Sequence, residues 1–384
     1  MTPGAQDRFN IIGLLAEREI TLEEAAQALQ LSSRQVERLR AAYNKAGHTA
    51  LNHGNQGRTP AHATPPEVRD RIIELATGKY AGFNHTYLTE LLVADEHINV
   101  ARATVHRILH AAHIGSPQPT RRRSQHRVKR PRRERAGAML QMDGSTHRWC
   151  EDRAGKMTII SAIDDATSRL WCIGRESEDL EGYMRLLRSI ILQWGIPGSI
   201  YTDRSALAAG ASNRFKMVDK IHLGPSQLKR ALTELGSILI LANSAEAKGR
   251  IERSNATLQD RLVSYLHSVE AQSLRDLNFH LTPFLEHHNS RFVRPPESST
   301  PGWKTWDLPF LIDDVLCIKE SRVVARDHTV RVFGATYRIS LDVVPGQLVM
   351  VHRRFDGSTG IFSGWKLIAG DAASPAPGEG RPVR

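Results

Sequence analysis

The stretch AMLQMDGSTHRWCEDRAGKMTIISAIDDATSRLWCIGRES, residues 138–177, decides the fold. It holds three short apolar runs, AMLQMDGS (138–145), KMTIISAIDDAT (156–167) and RLWCIGRES (169–177), separated by turn-forming residues. Runs of that length and spacing predict three antiparallel strands in a meander. Asp143 ends the first strand and is followed by Gly144. Asp164 and Asp165 end the second, where a tight turn wants Asp and Thr for local hydrogen bonds, so both are expected as turn residues.

Outward to the C-terminal side, Ser177 and Glu178 open a helix to about residue 194, with Leu180, Met184, Leu187, Ile190 and Ile191 on one face. Gly198 marks the turn into a fourth strand, GSIYTD (198–203). A helix at 226–235, a fifth strand SILILA (237–242) and a long helix at 249–268 follow. The order β-β-β-α-β-α-β-α is that of an RNase H-like domain, a mixed five-stranded sheet in which parallel strands extend an antiparallel meander. Residues 313–370, with TVRVFGATYRIS and QLVMVHRRF, read as a small all-β barrel, and the last residues, ASPAPGEGRPVR (373–384), as a disordered tail.

In this topology the first and fourth strands are neighbours and the long helix crosses their ends. Asp143, Asp203 and Glu252 therefore converge. Grouped carboxylates repel one another, and a pair of Mg²⁺ or Mn²⁺ ions, which favour hard oxygen ligands, removes that cost. Two such ions can activate a hydroxyl and stabilise the leaving oxygen in phosphoryl transfer. Glu252 lies in AKGRIERSN (247–255), where Lys248, Arg250 and Arg253 are expected to steer DNA phosphates. Asn255 and Gln259 lie three and seven residues further along the helix and are expected to face the same substrate.

The N-terminal side supplies DNA readers. In ITLEEAAQALQLSSRQVERLRAAYN (20–44), Thr21 and Glu24 form a capping box, and Ser32 or Ser33 caps a second helix. The second helix buries Val36, Leu39 and Tyr43 and leaves Arg34, Gln35 and Arg38 outward, a recognition helix for the major groove. Arg58 in the Gly/Pro-rich linker could enter a minor groove. Helical patterns at 67–76, 86–94 and 101–114 suggest a second, weaker helix-turn-helix with Arg102 and Arg107 free. The formal net charge is +11, and nine Lys or Arg against one Glu crowd into residues 121–135. Arg121, Arg122, Arg123, Lys129, Arg130, Arg132 and Arg133 in that run are expected on phosphates.

The expected organisation is a helix-turn-helix domain (1–50), a linker (51–66), a second helix-turn-helix-like domain (67–115), a basic linker (116–136), the catalytic domain (137–305), the β-barrel (306–370) and the tail (371–384). Three unpaired-looking cysteines give no disulfide framework, and His147 with Cys150 has no second ligand pair to make a zinc site. No apolar run reaches membrane-spanning length and no signal peptide is evident, so the protein is expected in the cytoplasm.

These motifs together resemble the integrase-type DDE transposases of bacterial insertion sequences, nearest to the ISNCY-like group. The resemblance covers most of residues 15–310 and is carried by QMDGS, AIDDATSR, IYTDR, AKGRIERSNATLQDRL and HHNSRFVRPPESSTP (287–301). It implies Mg²⁺-dependent cleavage and joining of DNA at the inverted repeats of transposon ends, insertion into target DNA, and assembly as a homo-oligomer of at least two subunits. Two departures stand out. The spacing of 49 residues from Asp203 to Glu252 is long, and SALAAGAS (205–212) is bland just after the second acid. A repair or RNA-removing nuclease on the same fold would not need paired DNA readers. A DNA-binding regulator with a dead core would not need all three acids.

Overall fold

The computed structural model describes residues 3–51, 63–117, 131–203, 226–241, 249–307, 311–332 and 334–370. The chain divides into two compact units, Met1–Asp70 and Arg71–Arg384.

In the first unit, helices α1 (Pro3–Ala16), α2 (Leu22–Leu29) and α3 (Ser33–Ala46) enclose a small core of Ile12, Leu15, Ala25, Val36 and Leu51. Both expected start signals operate. Thr21 and Glu24 close a capping box on α2, and Ser32 and Gln35 close one on α3. Each box satisfies backbone N–H groups that the first helical turn leaves without partners. Helix α1 adds to the two helices read from the sequence. Its signal, Phe9, Ile12 and Leu15 at helical spacing, is weak because the rest of the segment is not clearly amphipathic.

The division falls within α4 (Pro66–Thr77), and the second unit continues with α5 (His85–Ala94) and α6 (Arg102–Ala111). Its sheet contains β1 (Leu140–His147), β2 (Met157–Asp164), β3 (Leu170–Arg175), β4 (Ser199–Thr202) and β5 (Ile238–Leu241) in the order β3-β2-β1-β4-β5. The first three pair antiparallel, while β4 joins β1, and β5 joins β4, in parallel. This is the RNase H-like arrangement. Helices α7 (Leu180–Trp194) and α8 (Gln227–Glu234) cover one face, where Met184, Leu187, Ile190 and Leu232 pack with Leu140 and Met142 of β1. Helices α9 (Gly249–Ser268) and α10 (Leu274–Phe292) complete the domain.

The sheet edge at β3 is closed by side chains. Asn289 of α10 accepts from the Leu170 N–H at 2.9 Å and donates to its carbonyl at 2.9 Å. Asn278 does the same for Gly174, at 2.8 and 3.1 Å. Two amides thus imitate a neighbouring strand and remove a free edge that could pair with another chain.

Helices α5 and α6 are fastened to this body rather than held apart on the basic segment. Glu90 of α5 takes both guanidinium nitrogens of Arg261 of α9, at 3.1 and 2.6 Å, and Arg261 also lies over the Tyr87 ring.

At the C-terminal end, β6 (Ile318–Val323), β9 (Leu348–Arg353), β10 (Thr359–Ser363) and β11 (Lys366–Gly370) form a four-stranded antiparallel sheet. A hairpin of β7 (Thr329–Val332) and β8 (Ala335–Arg338) packs with it around Val324, Val330, Val349, Val351 and Ile361. Among the described residues the pairing gives these two sheets around one core, without a closed ring of strands. Polar contacts anchor the module to α7 and α8: Arg188 to Asp313 at 2.7 Å and Lys319 to Glu234 at 2.7 Å.

Candidate active site

The parallel register of β1 and β4 places the first two acids. Leu140 pairs with Ile200 and Gln141 with Tyr201, an offset of 60 residues. The same offset brings Asp143 level with Asp203, which directly follows β4. Adjacent strands lie about 4.8 Å apart, and residues level across a parallel pair share a face. Nothing local in either strand specifies this; the register does.

Helix α9 runs along that face of β1. The Ile251 N–H donates to Gln141 Oε1 at 3.4 Å, Asn255 Nδ2 to Asp143 at 3.0 Å and Gln259 Nε2 to Ser145 Oγ at 3.1 Å. Four helical residues rise about 6 Å and two strand residues about 6.6 Å, so steps of four on α9 keep pace with steps of two on β1. Glu252 is exposed in the first turn of α9, three residues before Asn255 and on the neighbouring helix surface. Among the described residues no group of three or more His, Cys, Asp or Glu side chains is gathered closely enough to hold an ion. Asp143, Asp203 and Glu252 do not form such a group here.

The neighbouring acids Asp164 and Asp165 differ in role. Asp164 accepts from Thr167 Oγ1 at 2.6 Å, the Thr167 N–H at 3.2 Å and the Gly137 N–H at 3.2 Å, which is turn chemistry. Burial, its largest influence, pushes its carboxyl up. Asp165 is fully buried and does more than make a turn. It accepts from Gln141 Nε2 at 2.7 Å, from the Arg133 N–H at 2.8 Å and from the Arg250 guanidinium. It thus ties the start of α9 to β1, two residues from Asp143.

Glu178 was expected only as a helix start. Asp179 caps α7 instead, and Glu178 accepts from the Tyr183 hydroxyl at 2.7 Å. A Cβ on Gly144 would lie 2.5 Å from the Glu178 carboxyl carbon, so glycine beside Asp143 makes room for a further carboxylate. Burial raises the Tyr183 phenol first, followed by Glu178, with Asp143 and Asp203 adding to it. All three acids thus act on one buried hydroxyl.

Two curated relatives align with most of the chain. The protein named "Putative transposase y4bF" of Sinorhizobium fredii is 33% identical over 324 residues, covering 84% of this chain and 70% of its own length. The transposase for insertion sequence IS1202 of Streptococcus pneumoniae is 31% identical over 369 residues, covering 86% of this chain and 77% of its own.

The chain belongs to the insertion-sequence transposases.

A Homeodomain-like domain matches residues 2–52 of the transposase, the three-helix unit described above. Two solved structures are also similar. The HTLV-2 integrase catalytic core domain in complex with magnesium (dimeric form) is 16% identical, covering 38% of this chain and 83% of its own, at a TM-score of 0.28. The simian T-cell lymphotropic virus intasome in complex with PP2A regulatory subunit B56 gamma is 14% identical, covering 79% of this chain and 100% of the matched one, at 0.34. At such scores they add nothing to the topology given above.

The transposase spreads its other expected contact residues over several environments. Arg34 and Arg38 are exposed on α3, while Gln35 accepts from the Ser32 N–H at 3.3 Å as part of its capping box. Arg102 and Arg107 are exposed on α6. Asn255 is buried against Asp143, and Arg250 is paired with Asp165. Arg253 is exposed. Arg132 bonds the carbonyl of Ala166 at 3.0 Å and Ser168 Oγ at 2.8 Å, and the Arg133 N–H meets Asp165. Arg58, Arg121, Arg122, Arg123, Lys129, Arg130 and Lys248 lie outside the described residues, as do SALAAGAS and the tail 371–384. Among the described residues no helix is long and apolar enough to cross a membrane.

Proposed function

We propose that this transposase binds the inverted repeats at transposon ends and cuts and joins DNA strands at a site built from Asp143, Asp203 and Glu252. The observation that carries this reading is the level placement of Asp143 and Asp203 on adjacent parallel strands, under a helix whose first turn bears Glu252. The donor set suits two Mg²⁺ or Mn²⁺ ions, because all three side chains offer hard oxygens. Asn255 Oδ1 adds a polar gap. It is buried beside Asp143 with no hydrogen-bond partner among the described residues. Bound there, divalent ions supply Lewis-acid activation of the attacking hydroxyl and charge neutralisation of the leaving oxygen.

The chain's own residues do the rest. Asn255 fixes the Asp143 carboxylate, and Asp165 holds against β1 the start of α9, the turn that bears Glu252. Arg253 and the basic run 121–135 attract phosphates. Arg34 and Arg38 of α3 read base edges at the ends. The domain limits stated from the sequence, a cytoplasmic setting and action as at least a dimer on DNA belong to the same reading, since a mobile element has two ends to process.

The test is strand cleavage and joining by purified protein on labelled transposon-end DNA in Mg²⁺, with binding followed in parallel. Asp143→Asn, Asp203→Asn and Glu252→Gln each lower the rate by at least about a hundredfold while binding persists. Double variants are little worse than singles, because the acids act as one unit. Asp164→Asn keeps most activity. Normal cutting by Glu252→Gln would remove Glu252 from the site.

A further inference from the structure

A second feature of the catalytic unit lies beyond the β2–β3 turn. Three tryptophans, Trp171 at the start of β3, Trp194 at the end of α7 and Trp303, meet with ring centroids 6.0, 6.1 and 6.4 Å apart. They wall a cavity of about 410 Å³ that adjoins another of about 660 Å³ sharing Trp171 and Trp194. Those volumes suit a ring-sized ligand. Trp194 is 37% exposed, while Trp171 and Trp303 are partly buried against the core. The Arg169 guanidinium lies 4.6 Å above the Trp194 ring, and Arg294 stands at the rim.

The rim continues into a cationic cluster. Arg250, Arg294 and Arg253 each oppose the charge of Arg132. The Arg132 guanidinium is held below its ordinary range first by burial, then by Arg250 and Arg294, with Arg253 adding to the effect. Asp165 counters them, and its carboxylate is buried beneath Arg250. Asp164 lines the cavity too, but its oxygens are taken by Thr167 and Gly137. Glu252, exposed in the first turn of α9, stands between Arg250 and Arg253 in sequence. Arg132, Arg253 and Arg294 are exposed, and like charges at a surface attract a polyanion.

We propose that the tryptophan-walled cavity receives one unstacked base of the DNA strand being processed, while Arg294 and Arg253 hold its flanking phosphates. This rests on the reading that the chain works on DNA strands. Charge complementarity selects a nucleic acid. The aromatic walls select a base outside the duplex stack, because only such a base offers a free π face. Trp171 and Trp303 pack with Leu140 and Met142 on the α7 face of the sheet, whereas Asp143 faces α9, so the cavity takes a base away from the reacting phosphate.

The test uses the full chain in EDTA, so it is independent of cleavage. The probes are a short oligothymidylate and the same sugar–phosphate backbone without bases, read by tryptophan fluorescence and by anisotropy. The thymidylate quenches the tryptophans and binds about five- to a hundredfold tighter than the base-free strand. Trp194→Ala abolishes the preference, Trp194→Phe retains most of it, and Arg294→Gln weakens both strands alike with a salt slope shallower by about 0.7. Equal affinity for the two strands, or an unchanged preference in a folded Trp194→Ala protein, overturns the proposal. A Trp194→Ala protein that binds DNA normally but sediments as a smaller species assigns the groove to a second copy, which also overturns it. Failure of the carboxylate variants to lose cleavage would strike the active-site reading and leave this one standing.

Discussion

Asp165→Ala tests the assignment of that residue as the fastening between α9 and β1. The substitution strips acceptors from three donors at once: Gln141 Nε2, the Arg133 N–H and the Arg250 guanidinium. Arg250 is the costly one, since its side chain is only 13% exposed and water cannot replace the lost carboxylate. Removing one partner of a buried ion pair costs about 3–5 kcal/mol. A large domain moves by about 2–4 °C per kcal/mol, so melting should fall by roughly 6 °C or more. The pair is shielded from solvent, so moderate salt should change this loss little. The decisive assay adds a second change. Asp165→Asn with Arg250→Gln keeps hydrogen-bonding groups but leaves no orphaned charge, and it should recover about 1–3 kcal/mol relative to additive single effects. Calorimetry or urea melts of the full chain give both quantities. Melting of Asp165→Ala within about 1 kcal/mol of the parent, with no coupling to Arg250, would refute the fastening.

Three further expectations follow from other parts of the molecule. His288, buried on α10, is pushed down to about 4, mostly by burial and next by Arg261 and His287, with Glu90 opposing. Its neutral form is the folded one, so the stability it contributes is full above pH 6.5 and is lost as pH falls towards 4. At 1.36 kcal/mol per unit the loss is at most about 3 kcal/mol, and His288→Phe should flatten the melting curve across that window. Asn289→Ala leaves the Leu170 N–H and carbonyl without their amide partner, which should cost about 2 kcal/mol and speed hydrogen exchange at Leu170; unchanged exchange would show the edge closed by something else. Arg38→Ala in the first unit should weaken binding to the transposon ends by about 1–3 kcal/mol with far less effect on scrambled DNA, and a uniform loss on both would make Arg38 a phosphate contact.

The sequence by itself determined whatever depends on local periodicity. Alternating apolar runs fixed the strands of the meander, and α9 spans the range its pattern indicated, because strand and helix periods are written in neighbouring residues. The capping boxes at Thr21 and Ser32 were legible for the same reason. Even the candidate acids could be named, since topology makes strands distant in sequence into neighbours. Tertiary structure alone decided how side chains divide the work. Asp164 and Asp165 look alike in sequence, yet one closes a turn and the other is buried under Arg250 across 85 residues. The contact of Asn255 with Asp143, 112 residues away, has no signal in the sequence around either residue. The Trp171–Trp194–Trp303 box has no sequence pattern, because β3, the end of α7 and the segment after α10 meet only when the sheet edge is closed. Pairings over such separations depend on register and packing, which no short window of sequence contains.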